Sequence, residues 1–197
     1  MKRIETPAEI LESVNEAKEV LADETIEGGF PEKAEEVKKL LDHISVNVGV
    51  INGGTKINVV PESCSVQIDM RLPFGISVAD IRSELNALLK QSELHDVTFS
   101  QTSFTNPNYT LPTERVYQAL YQNVKTVLGI TARPKFATGA TDAPPFRIRG
   151  IPCISYGPGS MMAAHIHDES VAVQELLNDT KVYAGTILDF FFEARSP

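Results

Sequence analysis

The feature that most constrains the fold is a change in the spacing of apolar residues near residue 44. Upstream, apolar residues recur every three or four positions, as on one face of a helix, at Ile10, Val14, Ala17 and Leu21 and again at Ala34, Val37, Leu40 and Leu41. Downstream, they alternate with polar or small residues, as in strands with one buried face, at Val46, Val48 and Val50 and again at Cys64, Val66, Ile68 and Met70. The N-terminal half is therefore predicted to mix helices and strands.

A capped helix and a further strand complete this first unit. Ser77, with Asp80 three residues later, has the sequence of a capping box. The residues that follow place an apolar face at Ile81, Leu85, Leu88 and Leu89. DVTFSQTSF, residues 96–104, then predicts another strand. Helix, strand, strand, helix, strand is the order of a ferredoxin-like α+β fold that lacks its first strand.

A second pattern begins after TNPNYTLP. Thr113 is predicted to cap a helix that ends at Gly129. PKFATGATDAPPF and GIPCISYGPG each predict a short strand that runs into a glycine-rich loop, and a very apolar helix over 171–192 is expected to pack on a sheet. This alternation indicates an α/β unit with functional loops at the strand ends. We therefore divide the chain into residues 1–106 and 107–197.

Composition argues against several classes of protein. The 197 residues carry a net charge of −8, which disfavours nonspecific binding to nucleic acid or an anionic membrane. No apolar run approaches the ~20 residues of a membrane span, and MKRIETPAEILES lacks the apolar core of a signal peptide. Cys64 and Cys153 are isolated, which predicts two buried free thiols in a cytoplasmic protein.

The segment AAHIHDESVAV concentrates potential metal ligands. His165, His167, Asp168 and Glu169 lie within five consecutive residues after the YGPG loop. Imidazole and carboxylate groups are typical zinc ligands. Alternatively, Asp168 and Ser170 cap the last helix while the histidines face solvent. The residues alone leave both interpretations open.

Two further groups could bind an anion. In GATD, glycine amides and the Thr141 hydroxyl could hold a carboxylate or an oxyanion, or the segment could be an ordinary turn in which Asp142 bonds its own backbone. Asp69 and Arg71 share one face of a predicted strand. The guanidinium could bind a carboxylate in bidentate fashion, or the two residues could form an exposed pair worth ~0–1 kcal/mol.

Four motifs, taken in order, carry a family resemblance: VGVINGGTKINVVPESC, DMRLPFG, ATGATDAPPFRIRGIP and YGPGSMMAAHIHDESV. Over residues 44–192 they closely resemble the co-catalytic zinc hydrolases of the aminoacylase, acetylornithine deacetylase, succinyl-diaminopimelate desuccinylase and carboxypeptidase G family. The resemblance implies a ferredoxin-like lid or dimerisation domain, residues 1–106, inserted into an α/β catalytic domain. Residues 107–197 would be the C-terminal part of that catalytic domain.

The resemblance also assigns roles to individual residues. His165 matches the last metal ligand of the family, and Glu169 matches the glutamate that follows it, beside the metal but not bound to it. His167 falls at a variable position. The residues that match substrate-binding positions are Asn58, Arg71, Gly139 and Thr141, with Arg71 as the carboxylate clamp. Asp142 looks more structural than catalytic.

The family's remaining metal ligands are not found in this sequence. Family members carry a His-x-Asp pair, a bridging aspartate, a Glu-Glu pair, a further acidic ligand and a lid histidine. One histidine ligand supplies neither an activated water nor a base. We therefore expect no catalytic residue among these 197 residues, and a chain that is inactive by itself.

For the complete protein, the resemblance implies cleavage of an N-acyl amino acid or a peptide by zinc-activated water. It implies two zinc ions per site, with cobalt or manganese as alternatives, and a homodimer formed through the lid. A non-catalytic dimerisation or binding module is the alternative function. An open sheet edge and an exposed apolar face favour that alternative, because both promote association.

Overall fold

The computed structural model describes residues 5–27, 31–92, 94–136, 141–159 and 167–192. Within them the chain forms two strands, β1 (Ser45–Gly53) and β2 (Cys64–Arg71). It also forms helices α1 (Leu11–Glu27), α2 (Ala34–Lys38), α3 (Val78–Gln91), α4 (Arg115–Leu128), α5 (Pro144–Ile148) and α6 (Val173–Phe192). Short 3-10 turns precede α1 and flank α2. In this part of the chain, no helix is both long enough and apolar enough to cross a membrane.

The two strands form an antiparallel hairpin with one irregularity. Val48 pairs with Ile68 and Val50 with Gln67, so Gly49 is an extra residue in β1. Such a bulge moves the following side chains to the other face of the sheet. The alternation of apolar residues predicts Val50 on the same face as Val46 and Val48, and that prediction is wrong. Ile51, which pairs with Val66, takes this position instead.

The apolar face of the hairpin is more exposed than predicted. Val46, Val48 and Ile68 are 57%, 52% and 50% exposed, and Cys64 is exposed as well. The reason is that α3, whose apolar residues should cover the hairpin, lines an open cleft together with β2. The prediction of a buried face on each strand is therefore wrong in degree.

Three predicted strands do not form in the described residues. Residues 96–104, 134–136 and 151–157 all lack strand pairing. Near Cys153 the physical reason is visible, because side chains bind its backbone in place of a neighbouring strand. The Thr110 hydroxyl accepts a hydrogen bond from the Cys153 N–H at 3.0 Å, and Arg147 donates to the Cys153 carbonyl.

The core forms along the predicted face of α1. Ile10, Val14 and Ala17 are buried, as expected, together with Leu41 and Phe74. Around them pack the half-buried residues Leu21, Tyr109, Leu111 and Phe136. The core therefore joins the first helix to segments on both sides of the predicted domain boundary.

The structure confirms two of the predicted helix ends and contradicts a third. The capping box of α3 is present, with Asp80 accepting from the Ser77 N–H at 2.9 Å. Gly129 ends α4 in the left-handed conformation, with φ 69°, as predicted. Thr113 is not the cap of α4, because the helix begins at Arg115 and Glu114 stands at the capping position.

Helix α6 packs on α4 and not on a sheet. Asp179, Val182 and Thr186 are buried on α6, and Val124 is buried on α4. In the described residues no strand lies beside α6, so the predicted packing on a sheet is wrong. The other face of the helix carries exposed apolar side chains at Val173, Leu176, Leu177, Ile187, Leu188 and Phe191.

Candidate functional site

A cleft of about 1650 Å³ lies between the two halves of the chain. One wall comes from β2 and α3, and the other comes from α4, α5 and residues 154–156. Two of the predicted substrate-binding residues line it, Arg71 from the first half and Thr141 from the second. The cleft is therefore the candidate site, because it gathers polar side chains from both halves around one space.

Arg71 enters the cleft already paired with a carboxylate. Its Nε donates to Asp69 Oδ2 at 2.7 Å, and both side chains are about half exposed. The two residues share a face because they lie two positions apart on β2. An ion pair this exposed contributes ~0–1 kcal/mol, so a ligand carboxylate can compete with Asp69 at little cost.

Thr141 is exposed at the cleft and comes shortly before α5. The next residues are Asp142, also exposed, and Ala143, which is buried. Gly139, the other predicted member of this loop, lies outside the described residues. The structure thus places Thr141 at the lining of the cleft.

Asn58 is not brought to the same place. It is exposed in the turn that joins β1 to β2, and it is not one of the residues that line the cleft. Its apolar neighbours Ile57 and Val60 are also highly exposed. In this conformation of the hairpin, Asn58 lies outside the cleft that Arg71 and Thr141 line.

The predicted metal-binding segment is only partly described. His165 lies outside the described residues, whereas His167, Asp168 and Glu169 are exposed. Asp168 has a positive φ of 62°. Because α6 begins at Val173, neither Asp168 nor Ser170 stands at its N-cap, and the capping alternative is wrong.

The described residues do not fit a metal centre. No three His, Cys, Asp or Glu side chains among them converge on one point. Zinc sites in proteins use three or four such donors. We therefore derive no chemical step through a metal from these residues.

Sequence reasoning missed Arg147, which also lines the cleft. Its guanidinium donates to the Cys153 carbonyl from Nε at 2.9 Å and from Nη2 at 2.7 Å. Burial lowers the pKa of this guanidinium, although an arginine stays charged near neutral pH. The signal in the sequence was its position in ATGATDAPPFRIRGIP, where only the GATD end suggested a binding site.

A second group that sequence reasoning missed joins α6 to residues 151–157, the segment predicted to be a strand. The Tyr156 hydroxyl donates to Asp179 Oδ1 at 2.6 Å, and the Tyr183 hydroxyl donates to the Tyr156 carbonyl. Burial, followed by the hydrogen bond to Asp179, raises the pKa of the Tyr156 phenol. The signal in the sequence was Asp179, one of three carboxylates in an otherwise largely apolar helix.

Comparison with known proteins identifies the family. Residues 4–97 match the M20 peptidase dimerisation domain. Mouse aminoacylase-1 is 26% identical over 148 residues, which cover 73% of this chain and 36% of that protein. A probable carboxypeptidase of Aspergillus clavatus is 32% identical over 136 residues (67% and 30%), and the acetylornithine deacetylase of Myxococcus xanthus is 25% identical over 162 residues (74% and 38%). Residues 4–97 form an M20 dimerisation domain, and the chain has aminoacylase, acetylornithine deacetylase and carboxypeptidase homologues.

Two solved structures have a similar fold. The metallo-carboxypeptidase Sso-CP2 of Sulfolobus solfataricus superposes with a TM-score of 0.68 at 18% identity, covering 95% of this chain and 46% of that one. Human carnosine dipeptidase 1 gives a TM-score of 0.59 at 16% identity, with coverages of 96% and 43%. The prediction of an α/β chain with a ferredoxin-like dimerisation domain is confirmed.

The chain spans about a third of the length of the curated M20 relatives described above. The resemblance inferred from the four motifs is thus correct for the family. The domain boundary at residues 106 and 107 and the roles of individual site residues stay predictions.

Proposed function

We propose that this chain is part of a metal-dependent amidohydrolase or exopeptidase that releases an amino acid from an N-acyl amino acid or a peptide. The observation that carries the proposal is the cleft, in which Arg71 of the dimerisation domain and Thr141 of the second half line one space. The M20 relatives support it, since they include aminoacylases, an acetylornithine deacetylase and carboxypeptidases.

The role of this chain is to bind the substrate and orient it. Arg71 would exchange Asp69 for the carboxylate of the substrate, since both partners of the existing pair are exposed. Thr141 would donate its hydroxyl to the carboxylate or the carbonyl, together with a Gly139 amide. Asn58 would join them if the hairpin turn moves toward the cleft. An arginine fork suits a carboxylate because it donates two parallel hydrogen bonds.

Zinc, with cobalt or manganese as alternatives, would supply the activated water of the complete enzyme. In the proposed arrangement His165 is a metal ligand and Glu169 is a carboxylate beside it. Because the family's other metal ligands are not found in this sequence, we expect this chain alone to be inactive and to hold no stoichiometric metal. A cytoplasmic location and a homodimer through the dimerisation domain belong to the same proposal.

Carboxylate recognition can be tested on this chain alone. An N-acetyl amino acid and its methyl ester, which lacks the carboxylate, are titrated separately while amide chemical shifts are followed. The acid should bind more tightly than the ester. Arg71→Met should weaken binding of the acid by roughly tenfold or more, which is the value of a charged hydrogen bond.

The matched control is Arg149→Met, because Arg149 is exposed, donates to the Pro145 carbonyl and does not line the cleft. It should leave the affinity unchanged. Equal binding of acid and ester, or equal losses in the two arginine variants, would contradict the proposed role of Arg71.

A non-catalytic dimerisation module remains the alternative function, and one observation favours it. The matched dimerisation domain carries a hairpin whose valine and isoleucine side chains are exposed. Absence of carboxylate binding together with stable self-association would support the module over the enzyme.

A further inference from the structure

Four residues from three segments form a polar cluster near the start of the second half, beside the cleft. Asn108 and Thr110 lie in the connector between α3 and α4, Arg147 lies in α5, and Cys153 lies three residues before Tyr156. All but Cys153 line the cleft. We call this set the connector cluster.

Arg147 is the centre of the connector cluster. Its Nε donates to Thr110 Oγ1 at 3.1 Å and to the Cys153 carbonyl at 2.9 Å. Its Nη1 donates to Asn108 Oδ1 at 3.0 Å, and its Nη2 donates to the Cys153 carbonyl at 2.7 Å. One guanidinium therefore bonds both the connector and the segment that leads to Tyr156.

Thr110 makes the same link from the connector side. Its hydroxyl donates to the Cys153 carbonyl at 2.7 Å and accepts from the Cys153 N–H at 3.0 Å. The Cys153 N–H is thus bound by Thr110, which lies 43 residues away in the sequence. The Cys153 carbonyl is bound by Thr110 and by Arg147, which lies six residues away. Hydrogen bonds of this kind fix position, because the planar guanidinium holds its acceptors in a set geometry.

The charge on Arg147 indicates that the cluster has a positional role. The acceptors that bind its guanidinium are neutral, and no salt bridge to it is found among the described residues. Placing a half-buried cation among neutral acceptors costs more than an apolar side chain of the same shape would. What the arginine adds is several directed hydrogen bonds from one side chain.

We propose that Arg147 is a positioning residue that fixes the opening of the cleft. It ties the connector that leaves the dimerisation domain to the segment that carries Tyr156. Arg71 lies on one wall, and Thr141 lies six residues before Arg147 on the other. The connector cluster thereby sets the distance between the two groups. Any effect of the connector cluster on substrate binding rests on the proposed function, whereas its effect on the opening of the cleft does not.

The opening can be measured between two spin labels. One label is placed on Cys64, which is exposed on β2, and the other on a Gln122→Cys substitution at an exposed position of α4. The background carries Cys153→Ala, since Cys153 enters the cluster through its backbone. Arg147→Met should shift or broaden the distance distribution by more than about 2 Å, the size of a movement between domains.

Arg149→Met is the matched control, two residues away and bonded only within α5 among the described contacts. It should leave the distribution unchanged. A folded Arg147→Met protein with the wild-type distribution would overturn the proposal. So would an equal change in the Arg149→Met protein.

Thr110→Val covers the case in which Arg147→Met does not fold. It removes the hydroxyl and keeps the shape, so the distribution should broaden and the Cys153 amide should exchange about tenfold faster, as expected for one lost hydrogen bond. Thr110→Ser keeps the hydroxyl and should restore both values. If Thr110→Val leaves the distances unchanged, the cluster does not set the opening. These distances need no substrate, so loss of the proposed carboxylate binding would not alter their interpretation.

Discussion

At the scale of single residues, Gly75 is fixed by two independent constraints. Its φ is +92°, and a Cβ at this position would lie 2.1 Å from the Glu5 carbonyl oxygen. Gly75 follows β2 and precedes α3, so it lets the chain turn under its own N-terminal segment. The motif DMRLPFG therefore contains a residue with a structural role, Gly75, as well as the candidate binding residue Arg71.

Gly75→Ala should lower the free energy of unfolding by roughly 1–3 kcal/mol through backbone strain. The clash with Glu5 should add a further loss. Gly150→Ala is the matched control, since Gly150 has φ +74° but a Cβ there would meet no atom within 4 Å. Urea unfolding of both variants measures the difference. Equal losses in the two proteins would mean that the contact with Glu5 has no energetic weight.

The Tyr109 phenol gives the chain a dependence on alkaline pH. It donates to Glu9 Oε1 at 2.7 Å, and this hydrogen bond, followed by burial and the charge of Glu9, raises its pKa from 10.0 to about 12. A raised pKa contributes stability below the unfolded value and loses it as pH rises through the folded value. The loss should therefore fall between pH 10 and about 12.

Urea unfolding of the wild type and of Tyr109→Phe across this range checks the prediction. The stability difference between the two proteins should shrink as pH rises, because only the wild type has the phenol to lose. A difference that stays constant to pH 12 would show that the Tyr109–Glu9 contact does not form in solution. At acid pH the same bond lowers the pKa of Glu9, so its contribution fades as that carboxylate is protonated.

At the scale of elements, the contact between α4 and α6 depends on a glycine inside a helix. A Cβ on Gly185 would lie 2.0 Å from Asn123 Oδ1. The Asn123 side chain cannot simply swing away, because its amide donates to the Ala119 carbonyl at 2.9 Å and to Asp189. The glycine therefore allows α6 to approach α4 closely.

Gly185→Ala tests this packing, because two effects oppose each other. Alanine favours the helix by ~1 kcal/mol over glycine, whereas overpacking costs ~1–3 kcal/mol. We expect a net loss of up to about 2 kcal/mol in thermal unfolding. Adding Asn123→Ala should recover part of it in a double-mutant cycle. If Gly185→Ala stabilises the protein, α4 and α6 can accommodate the added methyl group and the close contact is not required.

Regular elements were predicted where the signal is local. The face of α1, the Ser77–Asp80 capping box and the end of α4 at Gly129 depend on residues within about one helical turn. The bulge at Gly49 was not predicted, because Val46, Val48 and Val50 keep the two-residue spacing of a regular strand in the sequence. The strands expected at 96–104 and 151–157 failed because a strand needs a partner, and pairing is not a local property.

At the scale of the whole molecule, α1 is held to the second half by charge as well as by the core. Arg133 Nη1 lies 3.1 Å from Asp23 Oδ2, and Lys135 Nζ lies 2.7 Å from Glu24 Oε1. Both pairs are exposed enough to be screened by salt. The apolar contacts of Ile10, Val14 and Ala17 therefore contribute most of the stability of the contact between α1 and the second half.

Self-association should occur through the hairpin of the dimerisation domain. We expect Val48→Lys to shift the chain toward monomer in size-exclusion chromatography with light scattering, because it places charge on the exposed apolar face. Leu177→Lys on α6 is the matched control, since Val48 and Leu177 are both 52% exposed. If Leu177→Lys dissociates the assembly and Val48→Lys does not, the interface lies on α6 instead.

The sequence by itself determined the family, the fold class and the helices with strong periodic faces. It also predicted Arg71 and Thr141 as substrate-binding residues, since both lie in short motifs that resemble those of the family. The tertiary structure decided that these two line one cleft while Asn58 lies apart. It also revealed the Tyr156–Asp179 bond and the connector cluster around Arg147, whose partners lie up to 43 residues apart. Periodicity reports neighbours within a few positions, so contacts over such separations exist only once the chain has folded.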